Sequence, residues 1–179
     1  MRKVILSMLT SIDGYIEGTN KDISWHLWNN EMDAYMMDFF KTVDTFIYGR
    51  KSYELMLDYW PSQTGSFANI MNEMPKIVFS KTLKNGMMNS KIVNGDVAET
   101  IQKEKRKPGK NMVLFAGANI ASTFIAKNLI DEYRLIISPV ALGSGNPLFQ
   151  IDKTLNLTLS ETKTFQCGNV LLIYQAGKF

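Results

Sequence analysis

Five short apolar runs separated by stretches of helical periodicity constrain this chain more than any other feature. The runs are Val4 to Leu9, Thr45 to Tyr48, Lys76 to Phe79, Met112 to Phe115 and Arg134 to Ile137, each bounded by turn or helix signals, and they read as strands. Between successive runs lie the helical patterns Glu31 to Lys41, Lys51 to Tyr59, Val97 to Lys105 and Ile120 to Asn128. Two neighbouring strands can run parallel only if a crossover of about a dozen residues or more joins them, and that crossover is usually a helix. The alternation therefore implies right-handed crossovers and an α/β fold, with a largely parallel sheet covered by helices on both faces. The last third of the chain breaks the pattern. Leu155 to Phe165 and Asn169 to Gln175 alternate, are rich in Thr and meet at Cys167-Gly168, which is the signature of an antiparallel hairpin. The expected sheet is thus mixed: mostly parallel, with a C-terminal hairpin closing one edge.

No internal repeat, low-complexity tract or long Pro/Gly/Ser linker interrupts the 179 residues, so residues 1–179 are expected to form a single domain. No apolar run approaches the roughly 18 residues of a membrane span. The opening stretch MRKVILSMLTSIDGYI is basic and then apolar, but it alternates, runs into Asp13 and Glu17 and has no small-residue cleavage site. It reads as a first strand, which places the chain in the cytoplasm. One cysteine, Cys167, and one histidine, His26, leave no internal disulfide and no cluster of soft ligands, so no metal is expected. The net charge is only +3, and the basic run from Lys103 to Lys110 is broken by Glu104, Pro108 and Gly109. It reads as a solvated helix end and turn, so neither nucleic acid nor a membrane surface is an expected partner.

Parallel strands end in a crevice at their C-terminal edge, and three strand ends here carry ligand-binding chemistry. Gly49, Arg50, Lys51 and Ser52 follow the second run. Glycine allows a tight turn into a helix whose first N–H groups face an anion, Arg50 adds a planar cation and Ser52 a hydroxyl. Ser80, Lys81 and Thr82 follow the third run. Gly117, Ala118, Asn119 and Ile120 follow the fourth, where small residues would let a pyrophosphate approach the next helix. Read singly, each also fits an ordinary turn, a solvated loop or close helix-on-strand packing; together they outline one groove for a dinucleotide. After the first run, Ser11 to Ile16 is either a plain Asp13-Gly14 turn or a flap over the reacting ring. Trp25 either covers the core or lines a pocket for a flat substrate, and its neighbour His26 reads as a surface or satisfied histidine.

The order of these segments resembles the family that contains the C-terminal reductase domain of the bacterial riboflavin-synthesis deaminase-reductase and, more distantly, dihydrofolate reductase. The resemblance runs along nearly the whole chain and is carried by SIDGYI at 11–16, GRKSYE at 49–54, KIVFSKT at 76–82, FAGAN at 115–119 and LIDEYRLIISPVALGSGNPLF from Leu129 to Phe149. It implies a dihydrofolate-reductase-like three-layer fold with a sheet of about eight strands, an NADPH groove across the strand ends and a homodimer. Carried over by position, Gly49, Arg50 and Ser52 would hold the adenosine side of NADPH with its 2′-phosphate, and Ser80 to Thr82 would lie beside the adenine ribose. Gly117 to Ile120 would cradle the pyrophosphate, Ile16 would meet the nicotinamide end, and Asp13 and Trp25 would lie near the substrate.

Two departures separate the chain from the riboflavin-pathway enzymes. Those enzymes carry an acidic residue just before the glycines of the third segment, where this chain has Phe115 and Ala116, and their paired glycines are Gly117 and Ala118 here. Nor does a cluster of arginines mark the substrate end. The activity expected is hydride transfer from NADPH to a C=N or C=O bond of a pterin-like or pyrimidine-like heterocycle other than the riboflavin intermediate, with Asp13 or a held water as proton source. The alternative is a dinucleotide-binding protein of the same fold without turnover.

Overall fold

Alternate residues of the central strands point into two different apolar layers, and this is what the near-continuous hydrophobic runs encode. The computed structural model describes residues 1–177. In chain order it contains β1 (Val4–Thr10), β2 (Tyr15–Glu17), α1 (Asn30–Phe40), β3 (Val43–Gly49), α2 (Arg50–Tyr59), α3 (Ser66–Glu73), β4 (Lys76–Phe79) and β5 (Ser90–Val93). There follow α4 (Val97–Lys105), β6 (Asn111–Leu114), α5 (Ala118–Ala126), β7 (Glu132–Ile137), β8 (Asn146–Pro147), β9 (Leu157–Thr164) and β10 (Val170–Ala176). Eight strands form one sheet in the order β5-β4-β3-β6-β1-β7-β10-β9. All neighbours from β5 to β7 are parallel, and β10 runs antiparallel to both β7 and β9.

Leu6, Ile47 and Leu114 pack with Ile101, Ala121 and Phe124 on the face covered by α4 and α5. Their neighbours Ile5, Phe46, Tyr48 and Val113 pack with Met36, Phe40, Tyr53 and Met71 on the face covered by α1, α2 and α3. This is the three-layer α/β arrangement of the sequence reading, and α4 matches the expected helix residue for residue. The elements absent from that reading are the short or exposed ones. α3 starts at Gly65 without a capping side chain, edge strand β5 has little apolar alternation, and β2 and β8 exist only as a small antiparallel pair.

That pair shapes the functional end. Leu148 N–H donates to the Gly14 carbonyl at 2.9 Å and Ile12 N–H to the Val140 carbonyl at 2.8 Å, so the loop after β1 is stitched to the segment between β7 and β8. Gly145 has φ +144°, and a Cβ there would run into the Glu17 carbonyl, so only glycine lets the two segments lie this close. The basic run ends α4 and its turn, with Lys103 on Glu99 and Lys107 on Glu104 as expected of a helix end, but Lys105 is buried against Asp131 where the sequence reading had it solvated.

Candidate active site

The middle strands β3 and β6 are neighbours, so the helices that leave their C-terminal ends begin side by side. A Cβ on Gly49 would lie 3.1 Å from Ile120, and a Cβ on Gly117 would lie 3.2 Å from Ser52 Oγ. The two glycines thus set the close approach of α2 and α5. Neither helix start is closed by a side chain, whereas Asn29 caps α1 through Met32 N–H and Asp96 caps α4 through Glu99 N–H. Uncapped N-termini leave free N–H donors and the positive end of the helix dipole facing outward, a pairing suited to phosphate oxygens. The bare glycines and free donors fit a pyrophosphate.

The other residues expected in the groove are placed with differing degrees of freedom. Arg50 Nη1 donates to both carboxylate oxygens of Glu54 at 2.9 Å, a partner the sequence reading did not assign. Lys51, Lys81 and Thr82 are exposed. Ser80 follows β4, which pairs with β3, but its Oγ accepts from the backbone N–H groups of Thr82 and Leu83 at 3.2 and 3.0 Å and so shapes the local turn. Asn119 is exposed in the first turn of α5, Ala118 is buried, and Ile16 is buried in the same apolar layer as Ala116 and Ala118.

Next to Ser52 and Ala116, a cavity of about 400 Å³ opens between the sheet and the helices of the α1–α3 face. The sheet contributes Ser7, Leu9, Tyr48 and Ile136, α1 contributes Met36 and Phe40, and α3 contributes Phe67 and Met71. Trp60, Phe115, Trp28 and His26 complete an aromatic wall, with Phe115 5.2 Å from Phe46 and 6.3 Å from Phe40 between ring centroids. The Phe115-Ala116 stretch, where the resemblance puts the riboflavin-pathway acid, therefore lines the cavity with no charge of its own. Trp25 does not line the cavity. Its indole N–H donates to the Asp22 carbonyl at 3.0 Å and its ring backs His26 edge-on at 4.3 Å, while His26 and Trp28 line the cavity in its place. The Trp28 indole donates to Asp33 at 2.7 Å, which turns its ring toward Phe67.

Asp13 lies in neither groove nor cavity wall. Its carboxylate accepts from Ser11 Oγ at 2.6 Å, Gly143 N–H at 2.7 Å and Leu142 N–H at 3.1 Å. The Ser11 hydroxyl and then the two backbone donors pull its pKa down to about 2, so it carries no proton at neutral pH. The structure gives Asp13 the work of tying the β1–β2 loop to the β7–β8 segment. A second hollow of about 430 Å³ opens at the opposite ends of β4 and β5; its Lys76 donates to the Asn72, Met74 and Met88 carbonyls and has no free bond to offer a ligand. Tyr48, Phe40, Phe67 and Met71 were missed as site residues. Only the polar tip of Tyr48, in a strand otherwise apolar from Phe46 to Ile47, set any of them apart in the sequence.

Comparison with known proteins brings the same architecture together. Residues 2–173 match the family described as the RibD C-terminal domain. The uncharacterized protein YyaP of Bacillus subtilis (strain 168) is 37% identical over 180 residues, which is 97% of this chain and 94% of that protein. The crystal structure of a putative riboflavin biosynthesis protein from Shewanella sp. PV-4 aligns with a TM-score of 0.82 at 20% identity, covering 99% of this chain and 100% of the other. Dihydrofolate reductase from Enterococcus faecalis, complexed with NADP(H) and RAB-propyl, aligns with a TM-score of 0.68 at 13% identity, covering 98% and 97%. At such identities the two structures establish the fold, which is that of dihydrofolate reductase. No helix among the described residues is long and apolar enough to cross a membrane.

Proposed function

The chain belongs to the RibD C-terminal domain family, and from that premise we propose that it is an NADPH-dependent reductase acting on a small, flat heterocycle. The observation that carries the reading is the continuity of two features: a pair of glycine-started, uncapped helix N-termini, and an aromatic cavity that shares Ser52 with them. NADPH, when bound, supplies the hydride. The free N–H groups at the starts of α2 and α5 would hold its pyrophosphate, with Gly49, Gly117, Ala118 and Asn119 leaving room. Arg50 and Lys51 would hold the 2′-phosphate, Ser52 would bond the phosphate side, and Ser80, Lys81 and Thr82 would border the adenine ribose. Ile120 packs the two helix starts together, and Ile16 would bound the nicotinamide end. The aromatic wall orients the substrate ring and excludes water from its faces, so orientation is the chain's main contribution to rate. With Asp13 ionised, the proton that completes the reduction comes from water at the cavity mouth, and Trp25 supports His26 from behind.

The E. faecalis enzyme's NADP(H) complex supports the choice of cofactor. Association of two copies belongs to the same reading: β9 ends the sheet with one edge unpaired and exposes Leu159. Within Leu135 to Leu142, Leu135 and Ile136 are buried inside the chain and add nothing to such a surface. The test is to add purified protein to NADPH, following cofactor fluorescence for binding and absorbance at the reduced-nicotinamide band for oxidation across a panel of heterocycles. Binding with substrate-dependent oxidation is expected. Binding without oxidation by any of the panel favours the non-catalytic binder, and no binding refutes both. The ribosylamino-pyrimidine phosphate of riboflavin synthesis is expected to turn over at well below about 1 per second, since no cationic side chain lines the cavity to meet its phosphate.

A further inference from the structure

From Asp22 to Asn29 the chain forms neither helix nor strand, yet Ile23, His26 and Trp28 of this stretch line the cavity. Such a segment has no ladder to hold it, so its few outside bonds decide where its side chains stand. Leu27, between the two wall residues, is 39% exposed and is not held by burial. What holds it comes from the far end of the sequence: Asn169 Nδ2 donates to the Leu27 carbonyl at 2.9 Å. Asn169 is itself buried and fixed. The turn between β9 and β10 closes through Phe165 N–H to the Asn169 carbonyl and Gly168 N–H to the Phe165 carbonyl, both at 2.9 Å. Gln166 N–H donates to Glu31 at 2.8 Å and Nδ2 also meets Met32 Sδ, so the turn is tied to the start of α1. Beneath it Phe165 packs in one cluster with Met32, Leu171 and Ile173. The Leu27 oxygen requires the nitrogen end of the amide, which leaves Oδ1 without a partner among the described residues. A buried acceptor left unbonded costs stability, so packing alone does not account for asparagine at this position.

The bond acts on the wall through the backbone. The Leu27 carbonyl belongs to the planar peptide unit that ends at the Trp28 Cα, so fixing the direction of that oxygen fixes the plane from which the Trp28 side chain departs. From there the Trp28 indole reaches Asp33 at 2.7 Å and its ring faces Phe67 edge-on at 6.1 Å. We propose that Asn169 is a positioning residue for the cavity: by holding the Leu27 carbonyl, the tip of the C-terminal hairpin sets where His26 and Trp28 stand, and with them the width of the space. Asn169 makes no hydrogen bond to the residues at the starts of α2 and α5, so its loss should disturb the cavity and spare the dinucleotide groove. The proposal rests on the reductase reading only where it takes the cavity to be the substrate's; the holding of the wall does not depend on it.

The test reads the wall directly. The full chain is labelled with 5-fluorotryptophan, and the fluorine resonances of Trp25, Trp28 and Trp60 are assigned by replacing each with Phe in turn. At pH 7, Asn169→Ala and Asn169→Asp should both shift and broaden Trp28, while Trp60, which follows α2, moves least. Asn169→Asp has no N–H when ionised but regains a donor when its carboxyl is protonated, so its Trp28 resonance should return toward the wild-type position as pH falls. Asn169→Ala cannot do so, and it controls for His26, Asp22, Asp33 and Glu31, the groups of the facing segments that titrate in the acid range. NADPH affinity should stay within about twofold of wild type in both variants. For any heterocycle of the panel that is reduced, KM should rise about tenfold, the worth of one hydrogen bond, and more than kcat falls. In the unaltered protein the Asn169 side-chain amide should exchange slowly with deuterated solvent, whatever the variants' folding. Fast exchange of that amide, a Trp28 resonance unmoved by either variant, equal movement of all three tryptophans, or an Asn169→Asp titration that matches Asn169→Ala overturns the proposal. If NADPH does not bind while the tryptophan pattern holds, the reductase reading fails and the role of Asn169 in the wall stands.

Discussion

Arg50→Ala should weaken NADPH and leave NADH almost untouched, and Glu54→Gln should tighten NADPH slightly. In the free protein the Arg50 guanidinium is turned onto Glu54 one helical turn away, with both side chains 41% exposed. An exposed i,i+4 ion pair on a helix contributes only about 0.3–0.5 kcal/mol, so releasing Arg50 from Glu54 costs no more than that. A charge-assisted hydrogen bond to a phosphate is worth about 1.5–3 kcal/mol. The phosphate therefore wins by about 1–2.5 kcal/mol, or roughly 5- to 70-fold in dissociation constant. Removing Glu54's charge should return the smaller amount, about twofold.

The assay is a pair of fluorescence titrations, NADPH and NADH against wild type, Arg50→Ala, Arg50→Lys and Glu54→Gln, at low and at physiological ionic strength. Arg50→Lys keeps a point charge without the planar fork and should recover part of the loss. Added salt should narrow the preference, since the pair and the phosphate face solvent. Equal losses for the two cofactors in Arg50→Ala would show that Arg50 supports the helix start and does not read the 2′-phosphate. No loss for either would remove it from the groove.

The remaining expectations concern the frame around the site. Asp13→Asn should destabilise the protein across the neutral range; because folding depresses this carboxyl to about 2, the difference from wild type should be full above about pH 4 and shrink as pH falls toward 2, as read from denaturation curves, and a difference that grows on acidification would be the wrong sign. Gly49→Val, placing branched carbon where even a Cβ lies 3.1 Å from Ile120, should cost about 1–3 kcal/mol of stability and weaken NADPH binding, whereas an unchanged melting temperature would mean that the two helix starts part freely. Light scattering at micromolar concentration should give a dimer mass, and a monomer mass would count against the association.

The parts of this protein legible in the sequence are those whose cause is local. β1, β3, β4, β6 and β7 announce themselves because a strand buried on both faces must be apolar at nearly every position, and α4 because Asp96 caps it and Lys103 and Lys105 close it. The glycines at 49 and 117 were legible for the same reason: a strand running through glycine into a helix has few meanings. α3 was not, since Ser66 to Glu73 follows Gly65 at φ +100° with no capping side chain and is held by packing on α1 and the segment after α2. The cavity was hidden for a related reason. Met36 and Phe40, or Phe67 and Met71, are the i,i+4 pairs of any buried helix face, and only the assembled fold shows that, besides packing on the sheet, they line a space beside it. Between Trp25 and Trp28 the sequence offered no basis for choice; the Asp22 carbonyl and the Asp33 carboxylate decide which indole turns away and which faces inward.

Charge is placed differently in the frame of this chain and in its cavity. The charges hold the frame: Asp13 binds two loops, Arg50 pairs with Glu54 at a helix start, and Lys103, Lys105 and Lys107 pair with Glu99, Asp131 and Glu104. In the cavity charge is absent, and the uncharged Phe115 and Ala116 stand in the stretch where the resemblance puts the riboflavin-pathway acid. A site emptied of ions cannot hold its ligand by long-range attraction, so selectivity must come from shape and from the few bonds that are left unmade. The Tyr48 hydroxyl and the His26 Nε2 are among the unmade bonds of the residues around the cavity, and burial pushes the first group's pKa up and the second's down. On the proposed reading the proton would then come from solvent.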